Sequence, residues 1–403
     1  MGIFSVISLL GGLSIFLYGM DIMGDGLKSS SSKALKSMLE KVTHSAVLGM
    51  LTGTLVTSVI QSSTATIVLT VGLLSAGILN LRQSISIVMG ANIGTTVTAQ
   101  IIRLMDINSS GAAFIEIFKP STLAPLAVLC GIIFLKFVKS QKTKGIGMML
   151  MGFGILFTGL MGMTEAVSPL SESQAFTDVL QKFSDVPILG ILTGLITTFI
   201  VQSSSAVIGM VQALSSTGAF TFQTVYPLII GINLGTCITT AIVCSIGTDK
   251  DAKRTGIAHI LFNCIGTVLF MAAIPLLHHA GALNFIWGKP MNSGGIANFT
   301  TIFNLVTAVA LLPFTNQLVK LTTLIVKDSP DDTEDFYPEM RTLDEKLFIS
   351  PALALHQVNI AEASMGRLAR KNFNRSIDQL VSYDPERSAK ISSAEDRLDG
   401  FTD

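Results

Sequence analysis

Two short polar clusters stand in the middle of apolar runs: Gln61-Ser62-Ser63-Thr64, continued by Thr66, and Gln202-Ser203-Ser204-Ser205. At lipid depth an unsatisfied polar group costs several kcal/mol, so each cluster must line protein or a watery cavity. A glutamine followed by hydroxyls at a helix break offers carbonyl and hydroxyl oxygens, which suit a small hard cation. The freed N–H groups at the start of a half-helix suit an anion. Serine and threonine both donate and accept, so they can hold a phosphate-like oxyanion without a buried lysine or arginine. The flanking segments, 46–80 and 187–219, contain neither. The competing reading is that these hydroxyls bond the carbonyl four residues earlier, or a neighbouring helix. Recurrence of the cluster at the same place in two copies favours a site.

A second pair of motifs follows, Gly90-Ala91-Asn92-Ile93-Gly94-Thr95-Thr96 and Gly231-Ile232-Asn233-Leu234-Gly235-Thr236-Cys237. Paired glycines permit backbone bending and close approach, and Asn and Thr add oxygens, so these motifs read as further helix interruptions. Packing of small residues is the alternative for the glycines alone. His259 and Asn263 share a helix face at i, i+4, where a structural hydrogen bond between helices is expected. His278-His279 is expected in a loop without acidic or cysteine partners for a metal, and Met148, Met149, Met151, Met161 and Met163 read as packing residues. Asp106 lies too near a loop to complete a cation site.

The elements that must position these residues come as a duplication. GMLTGTLVTSVIQSSTATI from Gly49 aligns with GILTGLITTFIVQSSSAVI from Gly190, without a gap through the Gly90 and Gly231 motifs. Upstream, GLSIFLYGM from Gly12 matches GFGILFTGL from Gly152 with the offset changed by one residue. Each unit reads as one helix, a polar connector, a hairpin-like pair broken at Gln-Ser-Ser, and a further helix opening at Gly-x-Asn-x-Gly-Thr. Two-copy duplications of this kind mark secondary transporters rather than solenoids.

Composition places the chain in a membrane. Of 403 residues, 49% are hydrophobic and 13% charged, against about a quarter charged in soluble domains. The formal net charge is zero, which gives no argument for nucleic acid as a partner. Cys130, Cys237, Cys244 and Cys264 lie in apolar runs without metal or disulfide spacing, as small hydrophobes do. Residues 1–20 lack a basic leader and outlast a signal-peptide core, so they read as the first membrane helix.

Charge on the connectors sets the orientation. Residues 26–48 carry four lysines against Glu40, while 165–185 carry four acids against Lys182. Positive loops stay in the cytoplasm, so equivalent connectors lie on opposite sides and the repeats are inverted. The expected crossings are residues 1–20, 84–105, 120–138, 145–163, 224–247, 256–276 and 296–320. The two hairpins, 46–80 and 187–219, each leave and re-enter on one face. This puts the N-terminus outside and the C-terminus inside. The expected fold class is an all-α membrane protein of two inverted-topology repeats, residues 1–144 and 145–327, the second with two extra helices.

Two QSS[ST]A elements, each followed by G-x-N-x-G-T, resemble the bacterial branch of the type II sodium-dependent phosphate cotransporter family, over roughly residues 5 to 325. The resemblance implies sodium-coupled import of inorganic phosphate through the bacterial inner membrane, with the hairpins meeting at the midplane. It implies phosphate binding by Ser62, Ser63, Thr64, Ser203, Ser204, Ser205, Thr95 and Thr236. It implies sodium binding by Gln61, Gln202, Asn92, Asn233, Thr96, Ser63 and Ser204. Sodium is co-transported and no cofactor is expected. Thr64 stands where the family usually has a third serine and keeps the hydroxyl; Cys237 replaces an expected hydroxyl and removes a hard-oxygen ligand. Phosphate, sodium and the bilayer are the implied partners, with a homodimer as a candidate assembly.

After Lys327, DSPDDTEDFYPE reads as an acidic tether, 328–342. From Leu343 to Phe373 apolar residues recur at helical spacing, and a second charged helix begins near Pro385. Residues 343–403 resemble the beginning of a helical domain like the phosphate-signalling protein PhoU. The expected activity is alternating-access transport. The rivals are a carrier of another oxyanion or small carboxylate in the same architecture, and a membrane phosphate sensor or scaffold. An enzyme is not expected, since there is no Ser-His-Asp arrangement, no H-E-x-x-H and no ionisable cluster at bilayer depth.

Overall fold

The computed structural model describes residues 3–40, 45–75, 78–106, 119–138, 140–169, 178, 182, 185–245, 250–327 and 351–402. Within them the chain is helical, apart from turns and one bridge between Thr221 and Pro290. The first copy holds α1 (Ile3–Glu40), α2 (Ala46–Ile60), α3 (Ser63–Ser75), α4 (Leu81–Ile102, extended by a 3-10 turn to Asp106) and α5 (Pro120–Phe137). The second holds α6 (Gln141–Val167), α7 (Pro187–Val201), α8 (Ser204–Ser215), α9 (Phe222–Ser245), α10 (Lys250–His279), α11 (Ser293–Leu311) and α12 (Thr315–Ile325). Two tail helices, α13 (Pro351–Val381) and α14 (Pro385–Thr402), pack on each other.

Among the described residues, seven helical stretches are long and apolar enough to cross a membrane, and they fall on the seven crossings expected from sequence. The four helices flanking the Gln-Ser-Ser breaks, at 12–15 residues, are too short to span. Large apolar side chains such as Phe4, Leu129, Ile200 and Leu276 point away from the protein, as they must on a surface solvated by lipid.

The helices come close because glycines leave room for them. On α1 and α6, Gly12 meets Gly159, Gly19 meets Gly152 and Gly26 meets Gly145, a register that makes these two repeat-equivalent helices antiparallel. Phe16, Met20 and Met23 of α1 then close over Leu156, Phe157 and Leu160 of α6. A larger apolar cluster joins α9 to α10 and α11 through Val225, Ile229, Phe270, Phe299 and Phe303.

Several sequence expectations need correction. The connector after the first helix is helical as far as Glu40, because the stretch after Gly26 has no Gly or Pro to stop it. The Gly-x-Asn-x-Gly-Thr motifs do not interrupt or open their helices: they lie inside the continuous α4 and α9. Their glycines serve close approach instead, since a Cβ on Gly90 would lie 1.9 Å from Met50 O and one on Gly231 2.0 Å from Ile191 O. The last crossing is broken at Leu312–Phe314, where Pro313 lacks the N–H that an α-helix needs. His278-His279 ends α10 rather than lying in a loop, and the His278 ring stacks on Trp287 at 3.7 Å. In the tail, the helix runs to Val381 rather than Phe373; residues 343–350 and the acidic tether lie outside the described residues.

Candidate functional site

The two Gln-Ser-Ser breaks have one backbone geometry. Gln61 has φ 59° and ψ 21°, and Gln202 has φ 56° and ψ 20°. Among the described residues they are the two non-glycine residues at positive φ, a conformation costing about 1–2 kcal/mol for an L-residue. Each glutamine caps the helix before it, its N–H donating to Thr57 O or Thr198 O at 2.7 Å. Each following serine caps the next helix: Ser62 Oγ accepts from Ala65 N at 3.2 Å, and Ser203 Oγ from Ala206 N at 3.3 Å.

This leaves a particular set of groups free. The capping serines use an oxygen lone pair, so their O–H hydrogens can still donate. The hydroxyls of Ser63, Thr64, Ser204 and Ser205 make no hydrogen bond to the described residues. They occupy the first turns of α3 and α8, where unpaired backbone N–H groups and the helix dipole favour an anion.

The surroundings of the two breaks differ. Gln61 Oε1 accepts from Thr98 Oγ1 of α4 at 2.6 Å, while its Nε2 donates to Ser58 O. Gln202 is exposed, and Thr239, the repeat equivalent of Thr98, bonds its own helix at Thr236 O. Thr57 Oγ1 donates across the first break to Thr66 Oγ1 at 3.0 Å. At the second break Val207 stands where Thr66 would be, and the buried Thr198 Oγ1 has no partner. A cavity of about 250 Å³ reaches Gln61 and Ser62 from α1, where Asp21, Asp25 and Lys28 line it and Lys28 pairs with Asp25 at 3.2 Å.

Asn92 and Asn233 are buried ties between helices. Asn92 Nδ2 donates to Val88 O, and its Oδ1 accepts from His259 Nε2 at 3.1 Å and Asn263 Nδ2 at 3.3 Å, both on α10. Asn233 Nδ2 donates to Ile229 O, and its Oδ1 accepts from Asn304 Nδ2 of α11 at 3.2 Å. The structural bond expected of His259 and Asn263 is present. Thr95, Thr96 and Thr236 bond carbonyls of their own helices, Ala91 O, Ile93 O and Ile232 O, and Cys237 Sγ does the same with Asn233 O at 3.4 Å. Their donors are therefore engaged locally, and their oxygen lone pairs remain. Asp106 caps α11, taking Ser293 N at 3.2 Å and Gly294 N.

Within the first copy, then, the helix break and the Gly-x-Asn-x-Gly-Thr helix meet through Gln61 and Thr98. Between copies the half-helices cross over, α3 packing on α9 and α8 on α4. Sequence reasoning missed Thr98, Asn304 and Gln212. For Thr98 a signal existed, since a threonine recurs at the equivalent Thr239; Gln212 could have been noticed as a polar residue whose repeat equivalent is Val71.

The family model described as Na+/Pi-cotransporter matches residues 15–165 and again residues 163–308. The chain is 29% identical over 312 residues to an uncharacterized protein, YqeW, of Bacillus subtilis (strain 168), covering 77% of this chain and 95% of that one. It is 22% identical over 395 residues to the putative inorganic phosphate export protein YjbB of Escherichia coli (strain K12), covering 98% of this chain and 68% of that one. It is 34% identical over 108 residues to human sodium-dependent phosphate transport protein 2B, covering 26% of this chain and 16% of that one. No solved structure gives a significant match.

Proposed function

This chain belongs to the Na+/Pi-cotransporter family, and from that premise we propose that it imports inorganic phosphate with sodium by alternating access. It is a multi-pass membrane protein. The observation that carries the reading is the pair of left-handed glutamines, Gln61 and Gln202, each opening a capped half-helix with unbonded hydroxyls. Such half-helix starts hold anions in transporters, and the neighbouring amide and hydroxyl oxygens suit sodium. In this reading phosphate sits against Ser62, Ser63, Thr64 and Ser203, Ser204, Ser205, with Thr95 and Thr236 beside it. Gln61, Gln202, Asn92, Asn233 and Thr96, with Ser63 and Ser204, serve sodium.

Sodium offsets the anion's charge, so each ligand raises the affinity for the other by the same factor. The antiparallel packing of α1 on α6 supports inverted repeats. The short helices α2, α3, α7 and α8 support re-entrant hairpins. With the basic connectors inside, the N-terminus is outside and the C-terminus in the cytoplasm of a bacterial inner membrane.

The test is radioactive phosphate uptake into proteoliposomes under an inward sodium gradient, against an equal potassium gradient, with arsenate, sulfate and dicarboxylates as competitors. Sodium-dependent accumulation lost in a Ser63→Ala/Ser204→Ala double variant supports both activity and site. Phosphate binding without accumulation by folded protein points to a sensor. The YjbB relatives, aligned over nearly the whole chain, are named for export. Loading phosphate and sodium inside, with a reversed gradient, measures that direction.

A further inference from the structure

Gln212 lies on α8, eight residues after Ser204, and is 2% exposed. Its Nε2 stands 3.1 Å from Ala99 O of α4, 3.0 Å from Ser293 O and 2.9 Å from Ser293 Oγ of α11. Ser293 Oγ in turn donates to Ile102 O at 3.4 Å, and Asp106 takes the N–H groups of Ser293 and Gly294. Around this core Arg103 Nη1 donates to Asn298 Oδ1 at 3.0 Å and Gln100 Nε2 to Thr301 Oγ1 at 2.9 Å. Three elements thus meet through one buried amide: the outer half of the second hairpin, the end of α4 and the start of α11.

The equivalent junction in the first copy is made differently. Val71 stands in the place of Gln212 and packs with Ile67, Val88, Ala91, Cys244 and Ala252. An apolar contact can slide and re-form through many small displacements. A buried amide cannot: once Nε2 leaves its three acceptors, all of them need water or new partners. A junction of the second kind has two states rather than a continuum.

We propose that Gln212, with Ser293 and Asp106, is a clasp that holds closed the face where α4 ends and α11 begins, and that its release gives that face access to Ser203, Ser204 and Ser205. The clasp is engaged in the conformation described. The proposal rests on the alternating-access reading and deepens it, since it names the bonds that one of the two gates must break. In the orientation proposed above, this is the external gate.

The experiment places a reporter, Ser205→Cys, about two helical turns below the clasp. It measures labelling by a membrane-impermeant maleimide in right-side-out and inside-out vesicles, against the same protein without the reporter. Gln212→Met keeps the side-chain volume and removes the donor. It should raise the labelling rate from the clasp face by on the order of tenfold, the population shift expected for one or two lost net hydrogen bonds. Asp106→Asn, which weakens the same junction from α4, should act in the same direction even if Gln212→Met folds poorly. Unchanged labelling in both variants, or an equal rise from both faces, overturns the clasp. The result does not depend on which solute is carried: failed phosphate uptake by the unmodified protein would sink the transport reading, while a one-sided labelling shift would still establish the gate.

Discussion

Replacing Gly90 or Gly231 by alanine tests whether the short helices α2 and α7 are held in place by the helices that carry the Gly-x-Asn-x-Gly-Thr motifs. A Cβ at Gly90 would sit 1.9 Å from Met50 O and 2.7 Å from Thr54 N, and one at Gly231 would sit 2.0 Å from Ile191 O. These neighbours are backbone, not the ends of flexible side chains, so α2 or α7 must retreat bodily by about 1 Å to restore contact distance. Overpacking of this kind costs about 1–3 kcal/mol. A shift of about that size also carries Gln61 away from Thr98, about three turns further along α2 and two along α4, where 2.6 Å separates their oxygens. Positioned groups commonly lose about a hundredfold in rate for a displacement of about 1 Å. The expected outcome is therefore a lower thermal midpoint for Gly90→Ala and Gly231→Ala in detergent, with sodium-dependent phosphate uptake reduced at least tenfold. Gly11→Ala is the control, because nothing lies within 4 Å of its Cβ position. If all three variants keep the parent's midpoint and uptake, the close approach of α2 to α4 and α7 to α9 does not position the site, and the reasoning fails.

The remaining predictions separate structural from functional roles. Gln202→Gly removes the amide from a left-handed residue and should leave stability unchanged or raise it by about 0.5–1 kcal/mol, while sodium-dependent uptake falls; undiminished uptake would remove Gln202 from the site. Thr198→Val should be neutral or stabilising, since Thr198 Oγ1 is buried without a partner. Thr57→Val should cost about 1 kcal/mol, because Thr66 loses the hydroxyl it accepts from; equal denaturation midpoints for the two variants would contradict this account. Asn92→Leu strands His259 Nε2 away from water and leaves Asn263 Nδ2 only its bond to His259 O, and should destabilise by about 1–3 kcal/mol, mainly from the one unsatisfied donor. A thermal midpoint within error of the parent would show that this tie does not hold α10 to α4.

Much of the fold was legible because its signals are local or repeated. Apolar runs of spanning length located the seven helices long enough to cross a membrane, and Gln-Ser-Ser in the middle of an apolar run located both helix breaks. The duplication made the placement of the helix breaks firmer than any single motif could, since Gln61 and Gln202 occupy equivalent positions and do adopt nearly the same φ and ψ. The helix interruption expected at Gly90 and Gly231 was misread for a physical reason. Glycine permits both bending and close approach, and the choice between them depends on whether another backbone lies against it, which a linear sequence does not say.

The sequence by itself determined the membrane setting, the two copies, the places where helices break and the residue types available at those places, because each follows from composition and spacing along one segment. The tertiary structure alone decided the partners. Gln61 meets Thr98, Asn92 meets His259 and Asn263, Asn233 meets Asn304, and Gln212 meets Ser293. Each bond joins separate helices and depends on their axial register and rotation, which for α2 on α4 is set in part by the close approach at Gly90. The two breaks also differ: Thr57 bonds Thr66 across the first, while at the second, where Val207 replaces that threonine, Thr198 Oγ1 is buried without a partner, so a near-symmetric sequence folds into two helix breaks with different bonds.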